Sequence, residues 1–227
     1  MTKITDTISG TALAGIANLA YRTSHFQIIG MENLQEALGR EKPIMITSWH
    51  GMTMMLAPFI RKYLDIRSII VLMPDDWRGR TLEVFTNRMH GEAFSMNLTG
   101  DSTLGMGRKL IELIRKIKRG KNLLMHPDGP AGPAYVAKPG LTFMAQKADA
   151  AIVPVGAYCR HAYRVPRWDL YTLPYPFSKI TLHIGKPIII PKDAKDLEAR
   201  NLALSDTLNR VAFQSMADYY ENKHIIR

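Results

Sequence analysis

The chain has 227 residues, 46% of them hydrophobic and 22% charged, proportions of an ordinary globular protein that exclude disordered and fibrous classes. At that length one fairly large domain buries a substantial core more readily than two small ones do. Thirty Lys plus Arg against twenty Asp plus Glu leave a formal net charge of +10, which favours nucleic acid or the anionic face of a membrane without choosing between them.

In chain order, residues 7–20 carry apolar positions at helical spacing, and FQIIG at 26–30 reads as a short strand. PIMITS at 43–48 is an apolar run bounded by Pro and His, short enough for a buried strand. GMTMMLAPFIRKYL then suits a helix, IRSIIVLM a strand, TLEVFTNRMH a helix and AFSMNLT a strand. Thr103 to Arg119 is the next helix, NLLMHP a strand and LTFMAQKA a short helix. AIVPVGAYC and KITLHIG are the later strands, and 197–220 closes the chain with one or two helices. Strands alternating with helices at these spacings predict a single-domain α/β fold, a mixed, mostly parallel sheet flanked by helices. RHAYRVPRWDLYTLPYPFSK, rich in aromatics, prolines and basic residues, reads as a long excursion from the sheet. It is either a packed connector or a ligand or membrane contact.

No apolar run approaches the roughly 20 residues of a membrane-spanning helix, and the N-terminus lacks the pattern of a secretory signal. The single cysteine, Cys159, cannot form an internal disulfide, which suits a reducing compartment. In Arg108–Arg119, Leu110, Leu113, Ile114 and Ile117 share one helical face while Arg108, Arg115, Lys116 and Arg119 gather opposite. Such a helix packs inward and solvates its basic face, or lies on anionic lipid.

Two stretches fall at the carboxyl ends of predicted strands, where ligands collect in α/β sheets. In Thr47-Ser48-Trp49-His50-Gly51-Met52 a histidine ends an apolar run. An imidazole there is either satisfied by the backbone or a general base facing a cleft. Ser48 lies two residues from His50, roughly 6.6 Å along a strand, but no Gly-x-Ser-x-Gly elbow supports a serine hydrolase. About 75 residues on, His126-Pro127-Asp128-Gly129-Pro130-Ala131-Gly132-Pro133 predicts a stiff turn exposing backbone amides and one carboxylate. Alternatively, Asp128 merely caps its own turn.

The ordered pair of blocks resembles the lysophospholipid acyltransferase superfamily, which includes the glycerol-phosphate acyltransferases. It is most similar to a bacterial branch long filed as a domain of unknown function, with a Trp-His-Gly block followed by Pro-Asp-Gly-Pro-x-Gly-Pro. The resemblance runs through GDSTLGMGRKLIELIRKIKRGKNLLMHPDGPAGP, KPGLTFMAQKADAAIVPVGAY and WDLYTLPYPFSKITLHIGKPI, and covers most of residues 26–188. It divides the chain into an N-terminal helix at about 7–20, this motif core and C-terminal helices at about 197–220.

The resemblance implies transfer of a fatty acyl group from acyl-CoA or acyl carrier protein, as co-substrate, to a lysolipid or glycolipid, with no metal and no other cofactor. His50 would take the acceptor's proton while nearby amides hold the oxyanion. Trp49, Gly51, Asp76, Arg78, Gly129, Pro130, Gly132 and Lys138 are the substrate-binding candidates. The place implied is peripheral, on the cytoplasmic side of the inner membrane, against anionic lipid. The Met-rich MTMMLAPF beside His50 is a candidate groove lining, although at least two of Met52, Met54 and Met55 are expected in the core.

Three departures bear on this reading. The superfamily's acid five positions after the histidine is Met55 here, and a thioether cannot orient an imidazole. The closer branch also lacks that acid, so Asp128, Asp76 or Asp75 must supply it, Asp128 being the first choice. Ala131 and Ala134 stand where the closer branch carries arginines, and Thr99 where another is expected. Without those clamps a phosphorylated acceptor requires Arg108, Lys138 or Arg78 instead, and an unphosphorylated glycolipid is permitted. The alternative is a non-catalytic lipid-binding descendant of the fold. Nucleic-acid binding explains the charge alone, since no zinc-ligand spacing, ribonucleoprotein block or helix-turn-helix pattern accompanies it, and no nucleic-acid partner is expected.

Overall fold

The computed structural model describes residues 4–97 and 104–221. Its elements are α1 (Ile4–Thr23), β1 (His25–Ile29), α2 (Met31–Gly39), β2 (Ile44–Thr47), α3 (Thr53–Tyr63), β3 (Ile69–Pro74), α4 (Trp77–Arg88) and β4 (Glu92–Met96). There follow α5 (Leu104–Lys118), β5 (Asn122–Met125), α6 (Gly140–Ala148), β6 (Ala151–Tyr158), β7 (Ala162–Arg164), β8 (Thr172–Pro174), β9 (Lys179–Ile184), β10 (Ile188–Ile189) and α7 (Leu197–Glu221). The predicted α/β class holds: a mixed, mostly parallel sheet in the order β1-β9-β6-β2-β5-β3-β4 is flanked by helices, with β10 added beside β6. Among the described residues, only the β6–β9 and β10–β6 pairings in this sheet are antiparallel.

The period of two in the apolar strands explains the layers. Ile44 and Ile46 of β2, Ile69 of β3, Leu124 of β5 and Val153 of β6 pack on one face with Leu34 of α2 and Leu56 and Phe59 of α3. Met45, Ile70, Leu123 and Ile152, one residue out of phase, pack on the other with Leu113 of α5, Leu141 of α6 and Leu204 of α7. Strands covered on both faces need continuous apolar runs, which is what IMIT and AIVPV supply. Gly156 lets α7 press onto β6, because a Cβ there would stand 2.0 Å from the Val211 carbonyl oxygen.

Several elements depart from the sequence pattern. MENLQEALG forms α2, although its short amphipathic stripe is not among the predicted helices. The segment after β6 is no plain loop: β7 and β8 pair as a hairpin across it. Residues 197–221 form one helix. On α5, Leu113 and Ile117 are buried while Arg108 and Arg115, with Arg119 just beyond the helix, are exposed, and Lys116 pairs with Glu92 at 2.8 Å. Thr99 and the Gly100-Asp101-Ser102 stretch lie outside the described residues.

Candidate active site

β2 and β5 run parallel with Thr47 opposite Met125, so His50 and Asp128, each three residues beyond a paired position, leave the sheet side by side. Past Thr47 the chain extends through Trp49 and turns through one 3-10 turn at His50–Met52 into α3. The Asp128 carboxylate accepts the His50 backbone N–H at 2.9 Å, joining the two turns.

Asp128 does not hold the imidazole, and the expectation that it would is corrected by the geometry. The His50 Nδ1 pairs instead with Asp169 Oδ2 at 2.6 Å. Asp169 arrives from the β7–β8 excursion, 119 residues along the chain, and its side chain is 1% exposed. Arg167 grips it from the other side, Nε to Oδ1 at 2.6 Å and Nη2 to Oδ2 at 2.8 Å, the fork geometry that makes arginine a strong carboxylate partner. Burial works against ionisation of Asp169. The hydrogen bonds from His50 and Arg167 and the Arg167 charge outweigh it, holding the carboxyl well below the usual range. Burial pushes the Asp128 carboxyl up, against its backbone hydrogen bonds. The two acids divide the work: Asp169 carries a fixed charge against the ring, and Asp128 staples the backbone.

Close packing brings Asp169 here. A Cβ on Gly51 would meet the Asp169 carbonyl oxygen at 2.1 Å, and one on Gly132, whose φ is +73°, would meet the Trp168 ring at 2.8 Å. Both glycines therefore act by admitting the segment 167–171 over the histidine. Trp168 and Tyr171 set their rings 5.6 and 5.7 Å from the imidazole, and burial pushes the Tyr171 phenol up to about 12.

The His126 ring stands edge-on to that of His50, with centroids 5.5 Å apart. Its Nδ1 lies 3.2 Å from Ser48 Oγ and its Nε2 3.0 Å from Thr53 Oγ1, which is also 2.7 Å from the His50 carbonyl oxygen. The one Thr53 proton goes either to that carbonyl, with His126 Nε2 protonated, or to His126 Nε2, with Nδ1 protonated toward the Ser48 carbonyl oxygen at 3.1 Å. Burial, helped by His50, pushes the His126 imidazole down to about 3, so the ring is neutral. Ser48 faces His126 and is fully buried, leaving no serine–His50 pair.

His50 lines a cavity of about 820 Å³, within the range of small-molecule sites. Its walls are apolar: Ile60, Val71, Phe85 and Leu110 from α3, β3, α4 and α5, Met89 from the turn after α4, and Leu13 of α1. Trp77 is 74% exposed and Phe143 36%, and both line the cavity with Arg167, which marks its opening. Among the described residues His50 Nε2 has no hydrogen-bond partner, and the ring is 21% exposed.

The remaining candidates divide. Gly129, Pro130 and Lys138 line the cavity with His50, and Lys138 Nζ donates to the Gly129 carbonyl at 2.9 Å. The turn offers fewer amides than expected, because Gly129 N–H already serves His126 O and Gly132 N–H serves Asp128 O. Trp49 and Gly51 line a second, smaller cavity instead. Asp75 and Asp76 follow β3 and line neither cavity. Arg78 is placed only as a backbone position on α4, and Arg108 is exposed on α5. In the Met-rich segment, Met52 and Met55 border the second cavity rather than the large one. Met54 and Met55 are core residues at 1% and 3% exposure, and α3 presents Thr53, Ala57 and Ile60 to the large cavity. Asp169 and Arg167 were not among the sequence candidates; the one signal was that the aromatic, basic excursion was unusual. No group of His, Cys, Asp and Glu suited to a metal ion occurs among the described residues.

No protein-family model matches the chain. It is 25% identical over 195 residues to an uncharacterized protein of Rickettsia prowazekii (strain Madrid E), covering 84% of this chain and 86% of that one. Its fold is similar to that of the 1-acyl-sn-glycerophosphate acyltransferase PlsC from Thermotoga maritima, with a TM-score of 0.58 over 90% of this chain and 79% of that one at 18% identity. The comparison and the sheet order agree on the α/β architecture.

Proposed function

We propose that this protein is a histidine-dependent acyltransferase that moves a fatty acyl group from a thioester, acyl-CoA or acyl carrier protein, to a hydroxyl or amine of a lysolipid or glycolipid. The observation that carries the reading is a His50–Asp169 pair set in the wall of a large apolar cavity. A hydrophobic chain fits such walls, gaining about 0.8 kcal/mol for each methylene buried. The PlsC-like fold supports the same reaction class.

In the proposed reaction His50 Nε2 takes the acceptor's proton while Nδ1–H donates to Asp169, which steadies the imidazolium that forms. The freed oxygen or nitrogen attacks the thioester carbonyl. Lys138 and Arg167, both at the cavity wall beside the ring, offer positive charge to the developing oxyanion. Collapse expels the thiolate, which takes the proton back from Nε2, so the enzyme returns unchanged. Pairing with Asp169 supplies an acid in place of the one missing at Met55; the alanines at 131 and 134 remain the ground for a non-catalytic lipid-binding descendant.

The protein works, on this reading, as a peripheral protein on the cytoplasmic side of the inner membrane. Among the described residues no helix is long and apolar enough to cross a bilayer, whereas exposed Trp77 and Phe143 frame the opening and the net charge is +10. Aromatic side chains and cations together suit an anionic interface. The test is to incubate the protein with acyl-CoA or acyl carrier protein donors and a panel of lysolipids and glycolipids, following thiol release and product mass. Acceptor-dependent turnover that His50→Ala abolishes is expected; turnover that survives His50→Ala, or none with any pair, overturns the proposal.

A further inference from the structure

α5 turns its apolar side inward, where Leu113 and Ile117 are fully buried and Met106 and Leu110 line the cavity that holds His50. Its outer side carries Arg108, Arg115 and Lys118, with Arg119 just beyond the helix, all exposed. Other cations of this region are engaged: Lys116 and Lys121 pair with Glu92 at 2.8 and 3.0 Å, and Lys109 Nζ donates to the Ser95 carbonyl at 2.7 Å. The four outer ones have no acidic partner among the described residues. Glu112, the one acid on the helix, stands four residues before Lys116, the spacing that pairs charges along a helix.

Ile111, 51% exposed, sits three residues after Arg108 and four before Arg115, so it shares their side of the helix. An apolar centre ringed by arginines is the composition of a protein interface. From Arg108 to Arg119 the charges span about 16 Å, at roughly 1.5 Å per residue, the reach of about three turns of one partner helix. Two other occupants fit less well. A helix that lies in a bilayer buries its apolar side in lipid, and here that side is committed to the core and the cavity wall. A nucleotide needs a concave site, and the outer side of a helix is convex.

We propose that the outer face of α5 docks an acidic helix of an acyl carrier protein, which thereby presents its acyl thioester to the cavity of His50. Charge selects the partner, because carboxylates in a row give each arginine fork a matching acceptor. Seated there, the carrier lies one helix diameter, about 10–12 Å, from the wall that Met106 and Leu110 form, within the span of an extended pantetheine arm. Phe143 of α6, the helix packed beside α5, stands at the opening that this arm would enter. The inference rests on the acyl-transfer reading and selects the carrier protein over acyl-CoA as donor.

The experiment measures binding of fluorescein-labelled holo acyl carrier protein, without an acyl group, to the full chain by fluorescence anisotropy at low salt. Arg115→Glu/Lys118→Glu weakens binding by roughly tenfold or more. Arg22→Glu/Arg210→Glu, at exposed positions on α1 and α7, changes the net charge equally and keeps most of the affinity. In steady-state assays the first variant raises KM for an acyl carrier protein donor and leaves KM for acyl-CoA of the same chain unchanged. No binding by the parent, unchanged affinity in Arg115→Glu/Lys118→Glu, an equal loss in the control pair, or a loss that falls on phosphatidylglycerol vesicles instead of the carrier overturns the proposal. Anisotropy needs no turnover, so a chain that binds the carrier through α5 but acylates no acceptor refutes the reading of the reaction and keeps the docking surface.

Discussion

Replacing Asp169 by Asn removes one charge and keeps the shape, so it tests the His50 pairing directly. The carboxylate serves three donors: Arg167 Nε at Oδ1, and Arg167 Nη2 and His50 Nδ1 at Oδ2. An asparagine has one oxygen to share among them. With that oxygen toward His50, its NH2 group opposes Arg167 Nε–H; turned over, the NH2 group opposes Arg167 Nη2 and can force the imidazole into the wrong tautomer. Either way an Arg167 donor loses its acceptor, at less than the penalty of a buried group because that side chain is 43% exposed, and the imidazolium of the reaction loses its counter-charge. A charge-assisted hydrogen bond is worth about 1.5–3 kcal/mol, so kcat should fall by roughly 10–150-fold, and further if the wrong tautomer dominates. The assay is steady-state thiol release with the acceptor that the lysolipid and glycolipid panel identifies. The loss should appear in kcat, with KM little changed, while Asp128→Asn, which keeps an oxygen for the His50 amide, costs less. An Asp169→Asn enzyme within threefold of the parent in kcat would refute the reasoning.

Gly51→Ala should displace the segment carrying Asp169, because its Cβ would stand 2.1 Å from that residue's carbonyl oxygen. Loss of turnover together with at least ~2 kcal/mol of stability in urea denaturation is expected. Ala57→Leu places a larger side chain on the cavity wall and should shift donor preference toward shorter acyl chains, read from kcat/KM across a chain-length series. The pH dependence of folding follows from His126, whose imidazole is pushed down to about 3 from about 6.5 when unfolded. The unfolded chain binds the extra proton between those values, so stability is full above pH ~6.5 and declines as pH falls toward ~3, by an amount on the order of a few kcal/mol. His126→Gln should flatten that slope in urea melts run across the pH range.

Much of the fold was legible because it rests on short-range signals. IMIT and AIVPV are too short and too apolar for surface helices, and the paired blocks at 47–52 and 126–133 announce strand ends. α2 escaped because nine residues give little periodicity beside a neighbouring strand. The hairpin β7–β8 escaped because two three-residue strands leave no alternation to read. Within the site, His50 was legible as the residue closing a buried strand. Its partner was not, because Asp169 comes from 119 residues away and neither spacing nor composition links the two. Asp128 was a reasonable guess for the wrong bond: register does bring it to His50, but to the amide rather than the ring.

The choice of Asp169 over a nearby acid has a structural cause. The position five residues after His50 is Met55, 3% exposed among Leu34, Phe59 and the strand side chains of the core. A carboxylate there would lose its hydration among apolar walls, so in this chain α3 serves as core and cavity wall and has no place for the acid. The acid comes instead with its own counter-ion, Arg167, on a segment that packs over the site from outside. The pairing of His50 therefore depends on tertiary closure rather than on one helix, and on the two glycines that let the segment approach. It follows that local loosening of residues 165–172 should reduce turnover before it reduces global stability. Arg167→Lys is the discriminating change, since a lysine keeps the charge but cannot grip both carboxylate oxygens. Its kcat should fall while its urea midpoint stays close to that of the parent, and a parallel loss of both would mean that the segment acts only as part of the core.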